Sequence, residues 1–311
     1  MNKEKNFISG VIYVHNAEDR IADFLSNIIS VFEENFEHSE IICVNDYCDD
    51  KSVELIKKQA QTAVSTSVSV INMSYFHGIE AAMNAGVELS IGDFVFEFDS
   101  THMDYDKSEI MNVYRHSLKG YDIVAASSEK KQKLSSSLFY WLFDISSVTK
   151  YKMNTNSFRI LSRRAINRIS SINKTNTYRK VAYSTCGLKT DCLTYKSIVT
   201  DKPRIDRQEK KYRSRLAVDS LIMFTDFGYR VSFALTVFMM FVAIGMGLYS
   251  ISTFIFGSPI EGWTTTILFL SMAFFGLFDI LTFIVKYLQI IVNLVFKRKA
   301  YSFESIEKLT K

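Results

Sequence analysis

The chain has 311 residues, of which 48% are hydrophobic, with 25 phenylalanines and a formal net charge of +4. That length leaves room for one sizeable soluble domain plus an accessory part, the apolar content fits membrane insertion, and the modest charge gives no ground for a nucleic-acid binder. The four cysteines, Cys43, Cys48, Cys186 and Cys192, form no C-x-x-C pair, so a zinc site is not expected and the thiols read as buried or incidental in a reducing compartment.

No apolar run follows Met1-Asn-Lys-Glu-Lys-Asn6 closely enough for a signal peptide, which keeps the soluble part in the cytosol. Phe7 to Val14 is apolar and β-rich. Glu18 to Phe32 then carries Ile21, Phe24, Leu25, Ile28, Ile29 and Phe32 at helical spacing. Glu40 to Asp46 reads as a second strand, followed by a helix from Ser52 to about Gln61. A third strand runs through Val68 to Ile71, and a helix from Gly78 to Leu89 leads into a strand ending at Asp99. Lys107 to His116 reads as a further helix and Tyr121 to Ala126 as a strand. The alternation predicts an α/β domain, a mostly parallel sheet with helices on both faces. From Asn154 to Val199 the pattern is less regular, with strands expected at Ser157 to Leu161 and Leu193 to Val199.

Lys202 to Arg215 is basic, and Leu216 to Phe227 shows apolar residues at helical spacing. This stretch reads as an amphipathic helix on an anionic membrane surface, or else as a solvated helix packed on the soluble domain. Val231 to Phe256 carries no charged residue and is long enough to span about 30 Å of hydrocarbon. After the loop Gly257 to Gly262 a second apolar stretch starts near Trp263, carries Asp279, and reaches Lys286 or Phe296. Asp279 is costly in lipid unless it faces a partner helix or an interface, and Lys286 can snorkel. Arg215 and Arg230 precede the pair, Lys297, Arg298 and Lys299 follow it, and the loop between has no basic residue. The positive-inside rule then places both termini in the cytosol of a multi-pass inner-membrane protein. The expected division is a cytosolic domain over 1–212, a juxtamembrane helix over 213–229, two transmembrane helices over 230–296 and a basic cytosolic tail over 297–311.

The segment Asp93-Phe-Val-Phe-Glu-Phe-Asp99-Ser-Thr-His-Met-Asp104-Tyr-Asp106 delivers acids to the carboxyl end of a buried strand. Ligands of open α/β sheets bind there, so these acids are candidates for a metal-diphosphate site. Asp104 reads equally as a cap of the helix beginning at Lys107, and Asp106 reads as such a cap before a metal ligand. His15, His77 and His102 have no ligand spacing and read as pocket-lining or structural.

Several segments, in this order, resemble family 2 glycosyltransferases, in the branch similar to dolichol-phosphate mannosyltransferase and bacterial polyprenyl-phosphate glucosyltransferases. They are Val11 to Asn16, Val44-Asn-Asp46-Tyr-Cys-Asp-Asp50 (compare V-[DN]-D-G-S-x-D), Ser74 to Gly86 (compare S-R-N-x-G-K-x-A-A-x-x-x-G), Asn156-Ser-Phe158-Arg159-Ile-Leu161 (compare G-D-F-R-L-L) and Gly262-Trp-Thr264. The resemblance implies a GT-A-like (Rossmann-like) fold with a C-terminal two-helix transmembrane hairpin. It implies an inverting transferase that moves a sugar from a nucleotide sugar to a polyprenyl phosphate. Asn16, Asp46, Asp50 and Gly78 would bind the nucleotide. Asp99 and Arg159 would be catalytic, and Asp99 with Asp104 would hold Mg or Mn. Arg159, with Lys130, Lys131, Lys133 and Ser136, would meet the lipid phosphate, although a solvated loop reads equally well for the lysines. The resemblance also implies a homo-oligomer, with hairpins from neighbouring chains packed together.

The chain departs from the pattern at Thr101, where the D-x-D motif has its second acid, and at Tyr47, Tyr75, Ile79 and Ser157, where the family has Gly, Arg, Lys and Asp. These losses motivate the alternatives of a non-catalytic homologue serving as scaffold or regulatory subunit, or a transferase with another lipid or glycan acceptor.

Overall fold

The computed structural model describes residues 3–129, 156–172, 179–198, 262–296 and 302–310, with isolated positions between 211 and 245. The strands are β1 (Ile8–Val14), β2 (Ser39–Asn45), β3 (Thr66–Met73), β4 (Phe94–Phe98), β5 (Ile123–Ser128), β6 (Phe158–Ser162), β7 (Thr190–Tyr195) and β8 (Phe303–Lys308). The helices are α1 (Ile21–Asn35), α2 (Ser52–Ala60), α3 (Ile79–Leu89), α4 (Ser108–Ser117), α5 (Arg163–Ile172), α6 (Arg179–Thr185) and α7 (Trp263–Phe296).

All eight strands form one sheet in the order β7-β5-β6-β4-β1-β2-β3-β8. β3, β2, β1 and β4 are parallel neighbours, β6 runs antiparallel between β4 and β5, and β7 is parallel to β5. The sheet is therefore mixed but mostly parallel, as the strand-helix alternation predicts. β1, buried along its whole length, splits by alternation between two cores. Ile8, Ile12 and Val14 face one with Phe24, Phe32, Phe96 and Phe98; Val11 and Tyr13 face the other with Ala82, Met83 and Val95. Helix α1 meets the first core through the apolar stripe read from the sequence. Gly86 lets α3 approach the second, since a Cβ there would lie 2.4 Å from Val11 Cγ1.

β8 was not foreseen. Residues 297–311 read as a basic tail, yet Phe303–Lys308 pairs antiparallel with β3, from Ser69 opposite Lys308 to Met73 opposite Phe303. The Val68 amide donates to Thr310 Oγ1, and Asn72 Nδ2 donates to Ser305 Oγ and Glu307 Oε1. This closes an edge of β3 that would otherwise present unpaired backbone groups.

The chain divides into two compact units, residues 1–144, 149–216 and 298–311 in one and residues 145–148 and 217–297 in the other. In the second unit α7 has 34 residues, which at a rise of 1.5 Å gives a rod of about 50 Å. Leu270, Phe274, Leu277, Phe278, Leu281 and Ile284 are exposed along it. Met239 packs at Gly276, where a Cβ would fall 2.9 Å from its Cγ. Among the described residues no helix is long and apolar enough to cross a membrane. The first expected span, 231–256, is described only at isolated positions, and the side chains of α7 only in part. The two-span hairpin is thus an expectation that the described residues do not establish.

Candidate functional site

The loops following β1, β2 and β3 meet around Asp46, at the carboxyl ends of the parallel strands. Asp46 is buried; Oδ1 accepts the His77 amide at 2.8 Å, and Oδ2 accepts the Gly78 amide at 2.8 Å and the Tyr13 hydroxyl at 3.0 Å. Burial pushes its carboxyl above the usual range, against the pull of these three donors. The same residue's carbonyl bonds His15 Nδ1 at 2.8 Å. Asn16 Oδ1 accepts the Asp49 amide, and Asp50 accepts the Glu18 and Ser52 amides through separate oxygens. Asn16, Asp46, Asp50 and Gly78 are therefore brought together, but their side-chain acceptors mainly pin loop to loop.

Two of the departures from the family pattern have a visible consequence here. Tyr47, in place of glycine, holds φ 59° and is 58% exposed, a left-handed backbone that glycine adopts without cost. Ile79, in place of lysine, is buried in the second core. Gly78 has φ 84° and opens α3, and a Cβ on it would lie 2.3 Å from the Tyr212 ring. The Tyr212 phenol oxygen takes the Glu80 amide in the first turn of α3; burial pushes its pKa up.

Beside these loops lies an ion-pair cluster that the sequence reading grasped only in part. Arg159 on β6 sits opposite Glu97 in the β4 register and donates to Glu97 Oε2 at 2.8 Å and to Asp99 Oδ2. Arg179 on α6 donates to Glu80 Oε2 at 2.9 Å and to Asp99 Oδ1 at 2.6 Å, and its Nη1 lies 2.9 Å from Glu97 Oε2. Tyr183 gives its hydroxyl to Glu97 Oε1 at 2.6 Å and its ring face to Arg159, 5.3 Å away. Burial alone would raise the Asp99 pKa, but Arg159 and then Arg179 hold it well below the ordinary carboxylate range. Asp99 and Arg159 were expected here. Arg179, Glu97 and Tyr183 were missed; the one available signal was Glu97, a charge inside an otherwise apolar strand, which needs a buried cation.

The remaining acids go elsewhere. Asp104 Oδ1 accepts the hydroxyls of Tyr195 at 2.6 Å and Ser157 at 3.4 Å, Oδ2 accepts Ser197 at 3.3 Å, and Ser157 and Tyr195 also bond each other. Asp104 is thus neither a helix cap nor a partner of Asp99. Asp106 is the cap, accepting the Ser108 amide at 2.9 Å. Lys130, Lys131, Lys133 and Ser136 lie outside the described residues.

The donor set does not fit a divalent ion. Each oxygen of Asp99 accepts a guanidinium, Thr101 is buried and neutral, and Met103 offers only a thioether packed against the core. Among the described residues no group of three His, Cys, Asp or Glu is placed to hold a metal. The expected pairing of Asp99 with Asp104 as metal ligands is not formed in this arrangement: the two carboxylates are committed to different partners.

Residues 9–182 match the family described as Glycosyl transferase family 2. The chain is 26% identical over 287 residues to the bactoprenol glucosyl transferase of Shigella phage SfV, covering 86% of this chain and 88% of that protein. It is 23% identical over 273 residues to the uncharacterized glycosyltransferase YkcC of Bacillus subtilis, covering 83% and 80%. It is 25% identical over 211 residues to the uncharacterized glycosyltransferase sll0501 of Synechocystis, covering 65% of this chain but only 64% of that protein's length. Among solved structures, a mannosyltransferase from Pyrobaculum calidifontis in complex with GDP-Man and Mn2+ covers 95% of this chain and 89% of its own, with TM-score 0.51 at 12% identity. Glucosyl-3-phosphoglycerate synthase from Mycobacterium tuberculosis also gives TM-score 0.51, at 13% identity, covering 71% of this chain and 80% of that one. At these identities the likeness shows the fold alone, which is GT-A-like.

Proposed function

The chain belongs to glycosyl transferase family 2, and from that premise we propose that it moves a sugar from a nucleotide sugar to a polyprenyl phosphate at the cytosolic face of a membrane. The observation that carries this reading is the convergence of the loops after β1, β2 and β3 on Asp46, beside the Asp99 end of β4. Donor ligands of such sheets bind at that edge. Asn16, Asp46, Asp50 and Gly78 shape the nucleoside end of the pocket, and Asp99 with Arg159 marks its diphosphate end.

The acceptor is supported by relatives named bactoprenol glucosyl transferases. The phosphate oxygen attacks the anomeric carbon as the bond to the diphosphate breaks, inverting that centre. With a second pKa of about 6 the acceptor phosphate is already largely ionised at neutral pH, so the neutral Ser157 in place of an acid is tolerable. Lys130, Lys131, Lys133 and Ser136 are assigned to the lipid phosphate.

One observation supports the membrane. The large apolar side chains exposed along α7 need a non-aqueous or protein cover. β8 follows α7 yet joins the same sheet as β1, so any membrane crossing between them must occur an even number of times. That agrees with a two-span hairpin and both termini in the cytosol, with copies packing through their hairpins as homo-oligomers. The test is incubation of the purified protein with polyprenyl phosphate and a panel of nucleotide sugars. Formation of a glycosyl lipid that Asp99→Ala abolishes supports the reading; no nucleotide binding and no product under any metal condition would overturn it.

A second reading, a non-catalytic homologue acting as scaffold or regulatory subunit, is favoured by the full engagement of Asp99 and by Thr101. It expects lipid binding without transfer.

A further inference from the structure

The cluster around Asp99 has the properties of a site that has exchanged a metal ion for side chains. A divalent cation would need an oxygen of Asp99 and at least one more anionic ligand nearby. Both Asp99 oxygens accept guanidinium hydrogens, one from Arg159 and one from Arg179, and these are charge-assisted bonds of the strong kind. The two arginines are themselves anchored from behind: Arg159 by Glu97, and Arg179 by Glu80 on α3. Both guanidinium groups are almost wholly buried, as are Glu80 and Glu97, while Asp99 retains 17% exposure toward the strand ends.

Charge leads to the same conclusion. Glu80, Glu97 and Asp99 supply three negative charges; Arg159 and Arg179 supply two positive ones, and Lys180 acts on Asp99 as a third. With Lys180 counted, the formal charges of the cluster sum to zero before any ion arrives. A further position near Asp99, Thr101, has lost the acid of the family pattern, and Asp104 is engaged by three hydroxyls. Arg179 lies in none of the segments that carry the family resemblance, and it links α3, β4 and α6 at one point.

We propose that Arg159 and Arg179 together take the place of a divalent ion at Asp99, so that nucleotide binding at this site is independent of metal, with Arg179 the positioning residue. This rests on the donor-site reading above. The second arginine also accounts for the pairing of a lost acid at Thr101 with a retained one at Asp99. Asp99 remains because it is the shared acceptor of both guanidinium groups.

The experiment uses the full chain in detergent micelles. First, Mn2+ alone is titrated and its free form followed by electron paramagnetic resonance. The expected result is no loss of the free-ion signal beyond that of a protein-free control; saturable binding of one Mn2+ that Asp99→Asn removes would overturn the proposal. Second, UDP and GDP are titrated by calorimetry in EDTA and in Mn2+. Equal affinity in both supports the proposal, and a rise of about tenfold or more in Mn2+ overturns it. Should neither nucleotide bind in either buffer, the donor reading fails, while the Mn2+ titration still decides the metal question. Third, Thr101→Asp with Arg179→Met restores an acid and frees one Asp99 oxygen. This variant is expected to gain Mn2+ binding; a folded variant that gains none removes Arg179 from the role given to it. The two wild-type titrations stand whether or not that variant folds.

Discussion

Replacing Arg159 by methionine removes a guanidinium that is 1% exposed while leaving a side chain of similar reach. Glu97, 0% exposed, then loses a 2.8 Å partner but keeps the Tyr183 hydroxyl and Arg179, and Asp99 keeps Arg179 alone. Breaking a buried pair from one side costs about 3–5 kcal/mol, and the retained partners place this case near the lower end. For a domain of this size each kcal/mol moves Tm by about 2–4 °C, so the variant should melt about 6–12 °C lower. The acid side of the stability profile should change as well. A depressed Asp99 pKa contributes stability that is present above its unfolded value near ~3.9 and lost as pH falls through the folded value. Without Arg159, burial weighs more heavily, the folded pKa rises, and that contribution shrinks at every pH above it. The assay is circular dichroism melting of the wild type, Arg159→Met, Glu97→Gln and the double variant, at neutral and acidic pH. Glu97 and Arg159 touch, so the double variant should lose less than the sum by about 0.5–3 kcal/mol. A Tm change below about 2 °C for Arg159→Met, or strict additivity, would refute the reasoning.

Gly78→Ala should cost about 1–3 kcal/mol, because the position needs a positive φ and the new Cβ meets the Tyr212 ring. Tyr212→Ala in the same chain should recover the steric part only, and an unchanged melting temperature for Gly78→Ala would contradict the packing described. Tyr47→Gly should raise stability by up to about 1 kcal/mol by relieving the left-handed backbone; a loss in denaturant titration would mean that the exposed ring makes an unseen contact. A chain shortened to end at Ala300 lacks β8 and leaves β3 as an open edge. Light scattering should then show association of the shortened protein, and a monodisperse species with the parent's melting temperature would show that β8 is dispensable.

The first half of the fold was legible because each element buries one face. The helical stripe from Ile21 to Phe32, and the apolar strands ending at Asn45 and Phe98, carry their periodicity in the order of residues, and their expected bounds fall within a few residues of the observed ones. β8 was missed for the opposite reason. Phe303-Glu-Ser-Ile-Glu-Lys308 is an edge strand, mostly solvated, and beside Lys297, Arg298 and Lys299 its composition is that of a tail. Nothing local marks it; its partner β3 lies more than two hundred residues earlier.

The site divides in the same way. Residue types and spacing along the chain were enough to give the family, the position of Asp99 at a strand end, the retained Arg159 and the anomalies at Tyr47 and Thr101, because motifs and periodicity are local properties of a chain. Only the tertiary structure decided what Asp99 does. Its two oxygens are taken by Arg159 and Arg179, 60 and 80 residues away, while Asp104, five residues along, turns to Tyr195 and Ser157. A carboxylate's role is set by whatever cation or donor comes within about 3 Å of it, and that is fixed by how distant elements pack rather than by neighbours in sequence.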